Sequence, residues 1–261
     1  MPALSPAPST LSDPSAPSTL SDPSLAIPAA VIVFPGSNGD RDLFEALQAT
    51  GFAPRYVRDS EELPSDVALV GLPGGFSYGD YWRAGMLASR ARAVRGLPAV
   101  QARGGLILGI CNGFQILTSA GLLPGALTYN SPPRFQHRWL KVQVTAAAAA
   151  SPWFFGLAAG TSLTLPIAHA EGAYRFPHVE TAAMPPDGPA IPLCYAQNPN
   201  GSQGDAAAVL DGSGRILGIM PHPERAIDAT LGSTDGQRLF AAARDYLRAP
   251  AGRQVEAEVP R

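Results

Sequence analysis

Charge is scarce in this sequence. Only 15% of its 261 residues are Asp, Glu, Lys or Arg, the formal net charge is −2, and no long run of either sign occurs. That balance excludes nucleic acid or an anionic membrane as the main partner. Cysteine is scarcer still. Cys111 and Cys194 are the two in the chain, they lie far apart and they form no CxxC pattern. They read as reduced thiols of a cytosolic protein rather than as a disulfide framework. No apolar stretch is long enough to span a bilayer, and the N-terminus lacks the basic and apolar regions of a secretory signal. Zinc-like ligand spacing is missing too: His169 and His178 are nine residues apart with no second ligand pair. No metal site is therefore expected.

What is abundant is apolar surface, at 46% of residues. A chain of this length can bury one large α/β domain, or at most two small ones. Residues 1–27 stand apart, because APSTLSDPS occurs at 7–15 and again at 16–24. Such Pro- and Ser-rich sequence cannot bury apolar area, so a disordered tail is expected there. The folded domain is placed at 28–250, with a second short tail at 251–261.

Within that domain, Ala30–Phe34 reads as a buried strand ending at Pro35-Gly36, and DRDLFEALQATG as a helix with Gly51 just past its end. DVALVGLPGG reads as a second strand, RAGMLASRARAVRGL as a helix and GGLILGI as a third strand. Strands alternating with helices predict a doubly wound, mostly parallel sheet flanked by helices. Beyond Tyr129 the texture changes to strands joined by short turns. RWLKVQVT, TSLTLPIAHA, IPLCYAQ, AAAVLD and RILGIMPHP predict extra strands of antiparallel kind, and DGQRLFAAARDYL a closing helix.

The third strand runs into Gly109-Ile-Cys111-Asn-Gly113. Glycines on both sides of a thiol suit a sharp strand–turn–helix elbow, where neighbouring side chains must be minimal. A helix starting near Asn112 would favour thiolate at Cys111, and the Asn112 N–H could donate to an oxyanion beside the sulfur. A thiolate that attacks an amide needs a base and a group to orient it. His222 and Glu224, in GIMPHPER, supply both if Pro221 and Pro223 hold the chain extended and the two side chains project from one side. The LPGG turn adds bare backbone N–H groups at Gly74 and Gly75, a second half for an oxyanion hole. It is no phosphate loop, since no G-x-x-x-x-G-K-[ST] follows.

Together the stretches PGSNGDRD, PGGFSYGDY, GICNGFQIL, GLLPGAL, AHAEGAY, NPNGS, MPHPERA and LGSTDG resemble the class I (triad) glutamine amidotransferases, from about residue 30 to 247. PGGFSYGDY is similar to their purine-pathway branch. The resemblance implies a flavodoxin-like fold and a Cys111–His222–Glu224 triad that hydrolyses glutamine through a thioester. It implies that Gly75 and Asn112 hold the oxyanion, with Gln115 shaping the glutamine pocket. It also implies no cofactor in this chain, and ammonia passed to a separate synthetase subunit that uses ATP and Mg, with a small third subunit beside it. Gly39, Ala84 and Ala170 depart from the family's pattern. Phe135 and Arg138 are candidates to touch substrate or partner, and Cys194 reads as inert core. A cysteine-elbow hydrolase of related fold and a non-catalytic binding module are the alternatives; MPHPER counts against the first and an intact triad against the second.

Overall fold

The computed structural model describes residues 26–177 and 188–250. The expected tail at 1–27 therefore lies almost wholly outside the described residues, as do the tail at 251–261 and His178. In chain order the described elements are β1 (Ile27–Val33), α1 (Asp40–Ala49), β2 (Phe52–Arg58), β3 (Leu69–Leu72), α2 (Arg92–Arg95), α3 (Leu97–Ala102), β4 (Leu106–Ile110) and α4 (Asn112–Ser119). Then follow β5 (Ala126–Thr128), β6 (Gln136–Val144), β7 (Ser162–His169), β8 (Ala173–Arg175), β9 (Ala190–Tyr195), β10 (Ala206–Leu210), β11 (Ile216–Ile219) and α5 (Gly236–Arg248).

The main sheet has nine strands in the order β2-β1-β3-β4-β11-β10-β9-β6-β7. From β2 to β11 the pairings are parallel, and from β11 to β7 they are antiparallel. The two halves have the composition this predicts. Ala29–Ile32, Leu69–Leu72 and Leu106–Ile110 are buried along their length, as strands covered on both faces must be. β6 instead alternates exposed and buried residues toward its end. The expected mostly parallel sheet with added antiparallel strands is the observed one.

Glycines set how closely the helices approach. A side chain on Gly71 would strike Leu43 of α1, whereas Leu72, one residue on, lies against Gly113 of α4. Successive strand residues face opposite ways, so α1 and α4 cover opposite faces. Gly109 of β4 and Gly218 of β11 are partners in register. A Cβ on the first would stand 2.5 Å from Leu117, and one on the second 2.1 Å from the Phe114 ring. With neither present, α4 rests directly on the centre of the sheet. Truncating Leu117, fully buried there, would cost about 2–5 kcal/mol. α5 is amphipathic, burying Leu239, Phe240, Ala243 and Tyr246 at helical spacing.

One expectation needs correction. The segment Arg83–Leu97 is not one helix: it contains a 3-10 turn at Ala88–Arg90, a break at Ala91 and the short α2. Gly85 sits at φ +78, and a Cβ there would lie 2.7 Å from the backbone of α4, so both the conformation and the close approach to that helix require glycine. The Ala-rich run after Thr145 is an exposed connection that holds a 3-10 turn at Ala146–Ala148, with Ala148 alone of the five alanines buried.

Candidate active site

β4 delivers the chain to Cys111, which has φ 50 and ψ −101. A non-glycine residue in that region carries strain of about 1–3 kcal/mol and persists only where its surroundings over-determine it. They do so here. The Cys111 N–H donates to the Ile219 carbonyl at 2.8 Å, and its own carbonyl accepts from Gln115 N at 3.1 Å. A Cβ on Gly113 would lie 2.1 Å from the Leu72 oxygen, and one on Gly109 would lie 2.6 Å from the Gly113 oxygen. The two flanking glycines are thus steric requirements of the elbow. The thiol points to the Ala168 carbonyl at 3.7 Å.

β11 ends beside β4, and three residues later comes His222. Its N–H donates to the Pro166 carbonyl at 2.8 Å, tying this loop to β7. His222 Nδ1 lies 2.6 Å from Glu224 Oε1. The chain is not extended through both residues as expected: Pro223–Arg225 form a 3-10 turn. Proline, with its fixed φ and no N–H, suits the first position of such a turn. The turn folds Glu224 back onto the ring, and Arg225 pins it to α1 through Asp42 at 3.0 Å. Both side chains of the pair are buried. Burial pushes the imidazole down, but the Glu224 charge and the nearby Cys111 sulfur outweigh it and lift His222 to about 10. Nδ1 is engaged with the carboxylate, and Nε2 has no other fixed partner.

The remaining expected residues divide by role. Gly75 lines the cleft with Cys111, Gln115 and His222. It adopts φ +143, and a Cβ there would meet Asn38 N at 2.7 Å. Gly74 makes room for the histidine instead, since a Cβ would stand 2.9 Å from His222 Cε1. The Asn112 side chain is buried. Its Oδ1 accepts from Ser77 N at 3.1 Å, and its Nδ2 donates to Asp80 Oδ1 at 3.2 Å and to Gln115 Oε1 at 2.9 Å. Gln115 Nε2 in turn donates to the Glu171 carbonyl at 2.7 Å. The first turn of α4 therefore clamps the loops after β3 and β7 together across the cleft.

Several cleft residues were not singled out from sequence. Asp80, at φ 52, is held near 6 by burial and by the charge of Glu171. Asn130 positions His169, a contact with no local spacing signal because 39 residues intervene. Phe135 lines the cleft, whereas Arg138 lines a separate hollow with Trp139. Cys194 is half-buried rather than core and reaches only the Gly204 carbonyl, at 3.5 Å. Ala84 and Ala170 line the cleft and Gly39 packs on Gly74. Among the described residues no cluster of three His, Cys, Asp or Glu side chains could hold a metal, and no helix is long and apolar enough to cross a membrane.

Residues 27–247 match the CobB/CobQ-like glutamine amidotransferase domain. Over 222 residues the chain is 45% identical to the phosphoribosylformylglycinamidine synthase subunit PurQ of Roseobacter denitrificans, covering 85% of this chain and 99% of that one. It is 47% identical to the corresponding protein of Parasynechococcus marenigrum, covering 80% and 96%. Among solved structures it superposes on a chain of PurLQS from Thermotoga maritima with a TM-score of 0.77 at 40% identity, covering 85% of this chain and 100% of that one. Another glutamine amidotransferase of Thermotoga maritima, at 16% identity and a TM-score of 0.54 over 88% of this chain and 98% of that one, shares the fold.

Proposed function

Because this chain belongs to the CobB/CobQ-like glutamine amidotransferases, and within them to the PurQ subunits of phosphoribosylformylglycinamidine synthase, we propose that Cys111, His222 and Glu224 carry its glutamine hydrolysis. The chain is the glutamine-hydrolysing subunit. It works with two partners, a large synthetase subunit plus a small third subunit, and its ammonia converts formylglycinamide ribonucleotide to formylglycinamidine ribonucleotide in purine biosynthesis. The observation that supports the triad is the strained Cys111 elbow set beside a buried His222–Glu224 pair at 2.6 Å.

The steps follow from that arrangement. Cys111, its proton resting on His222, attacks as a thiolate the side-chain carboxamide carbon of glutamine, forming an S–C bond as the carbonyl π pair moves onto oxygen. The backbone N–H groups of Gly75 and Asn112 face the carbonyl oxygen as it becomes an oxyanion. His222, kept protonated by Glu224, gives its Nε2 proton to the nitrogen as the C–N bond breaks, and ammonia departs. Water then attacks the thioester carbon and passes a proton to His222, and glutamate leaves as the sulfur is freed. Glu224 holds the tautomer and charge of His222 throughout. Gln115 shapes the pocket by fixing the Glu171 loop, and Gly74 clears space for the imidazole.

In this reading the chain needs no cofactor of its own, and ATP and Mg act on the synthetase. Its compartment is the cytoplasm, a placement supported by a nucleophile that must stay a free thiol. The direct test is Cys111→Ala in the assembled synthase. Glutamine-dependent synthesis should disappear while synthesis from added ammonium salt continues at the wild-type rate. Surviving glutamine-dependent turnover would remove Cys111 from the chemistry.

A further inference from the structure

One buried group at the cleft takes no part in those steps. His169, the last residue of β7, is 3% exposed and lines the cleft with Cys111 and His222. Its Nδ1 lies 3.0 Å from Asn130 Oδ1. The orientation of that amide is fixed on both sides: Asn130 Nδ2 donates to the carbonyls of Arg134 and His169 at 2.8 and 2.9 Å, and Oδ1 accepts the Gly172 N–H at 3.0 Å. An oxygen therefore faces Nδ1, so Nδ1 carries the proton and Nε2 is a bare acceptor. That Nε2 is buried and has no partner. The hydrogen bond to Asn130 holds the ring in this orientation. The ring lies against the backbone of Gly172, where a Cβ would come within 2.3 Å of Nδ1.

A buried acceptor without a donor is costly unless something that binds supplies one. We infer that His169 Nε2 accepts an N–H from the carboxamide of bound glutamine and thereby makes the site select amide over carboxylate. This rests on the glutaminase reading above and deepens it. The γ-carboxamide offers two N–H donors, whereas the γ-carboxylate of glutamate offers none and would set oxygen lone pairs against the lone pair of Nε2. Protonating the ring would relieve that clash, but burial and the neighbouring His222 charge hold His169 near 3. Of the other polar groups lining the cleft, Asp80 and Glu171 offer carboxylates to an α-ammonium and Arg225 a guanidinium to an α-carboxylate, groups that both amino acids carry, while Asn38 and Gln115 are neutral amides. A site built to bond a substrate N–H rejects the analogue that lacks it far better than shape alone does. After thioester hydrolysis the same lone pair faces the new carboxylate, which favours release of glutamate.

The test compares the KM for glutamine with the inhibition constant for glutamate in the assembled synthase. Peptide-mapped iodoacetamide labelling of Cys111 and co-purification with the synthetase report that each variant is folded. His169→Leu should raise the KM for glutamine by about tenfold or more, with a smaller change in kcat. Glutamate should bind as before or more tightly. His169→Gln, whose amide oxygen can accept, should recover most of the loss. Asn130→Asp places a carboxylate on Nδ1 and should make Nε2 a donor, so the preference shifts toward glutamate; this variant decides the matter if the leucine variant does not fold. Equal weakening of both ligands, or no change in their ratio in any variant, would overturn the inference. Failure of the wild-type complex to hydrolyse glutamine would instead sink the glutaminase reading.

Discussion

Two imidazoles are buried in one cleft and are held in opposite states. His222 rests on the carboxylate of Glu224 and is lifted to about 10, whereas His169 rests on the amide of Asn130 and is held near 3. Burial presses both toward the neutral form, so burial does not explain the difference. The neighbouring charges do: the Glu224 carboxylate lifts His222, and the charge of His222 adds to the lowering of His169. A carboxylate oxygen stabilises the imidazolium, and an amide oxygen only orders the tautomer. The first ring is thereby equipped to supply a proton and the second to accept a hydrogen bond. On the proposed roles, one site would obtain two functions from one residue type by changing the side chain behind each ring.

The comparison breaks most severely with Glu224→Gln, which gives both rings an amide partner. His222 should then lose its charge at neutral pH, and kcat for glutamine should fall by about 10²–10⁴-fold in steady-state assays of the complex. An unchanged kcat would mean that the carboxylate is not what prepares His222. A smaller effect is expected from Gly172→Ala. Its Cβ would press on the His169 ring, lowering stability by about 1–3 kcal/mol in urea unfolding and raising the KM for glutamine while kcat largely persists. The mildest probe is pH alone. The stability contributed by His222 is complete below its unfolded pKa of about 6.5 and is lost as pH rises toward 10. That from His169 is complete above about 6.5 and is lost as pH falls toward 3. Ring-proton NMR should therefore show no titration of either ring between about pH 5 and 8. A midpoint near 6.5 for either would refute its assignment.

Legibility in the sequence followed the strength of local signals. The continuous apolar runs of β1, β3 and β4 were readable because both faces of those strands are covered. Cys111 was readable because an elbow imposes glycine at two fixed neighbours. β2 escaped because it is the edge strand, with exposed charge at Arg55 and Arg58 and a proline at its centre. β5 and β8 have three residues each, too few for a period to register. The Asn130–His169 pair joins a loop to a strand end through the fold, and neither neighbourhood records the other. Gly172 was the available sign of it, a small residue placed where the ring must lie. The His222–Glu224 contact is legible in the sequence, but its geometry is not: a 3-10 turn, rather than an extended chain, brings Glu224 to His222.

The measurement that bears most directly on the account is intact-mass labelling with a diazoketone analogue of glutamine, with and without the synthetase, the adduct being mapped by peptide. A single adduct on Cys111 that excess glutamine prevents is the expected result. No adduct in the assembled complex, or an adduct on Cys194, would contradict the assignment of the elbow thiol as the nucleophile.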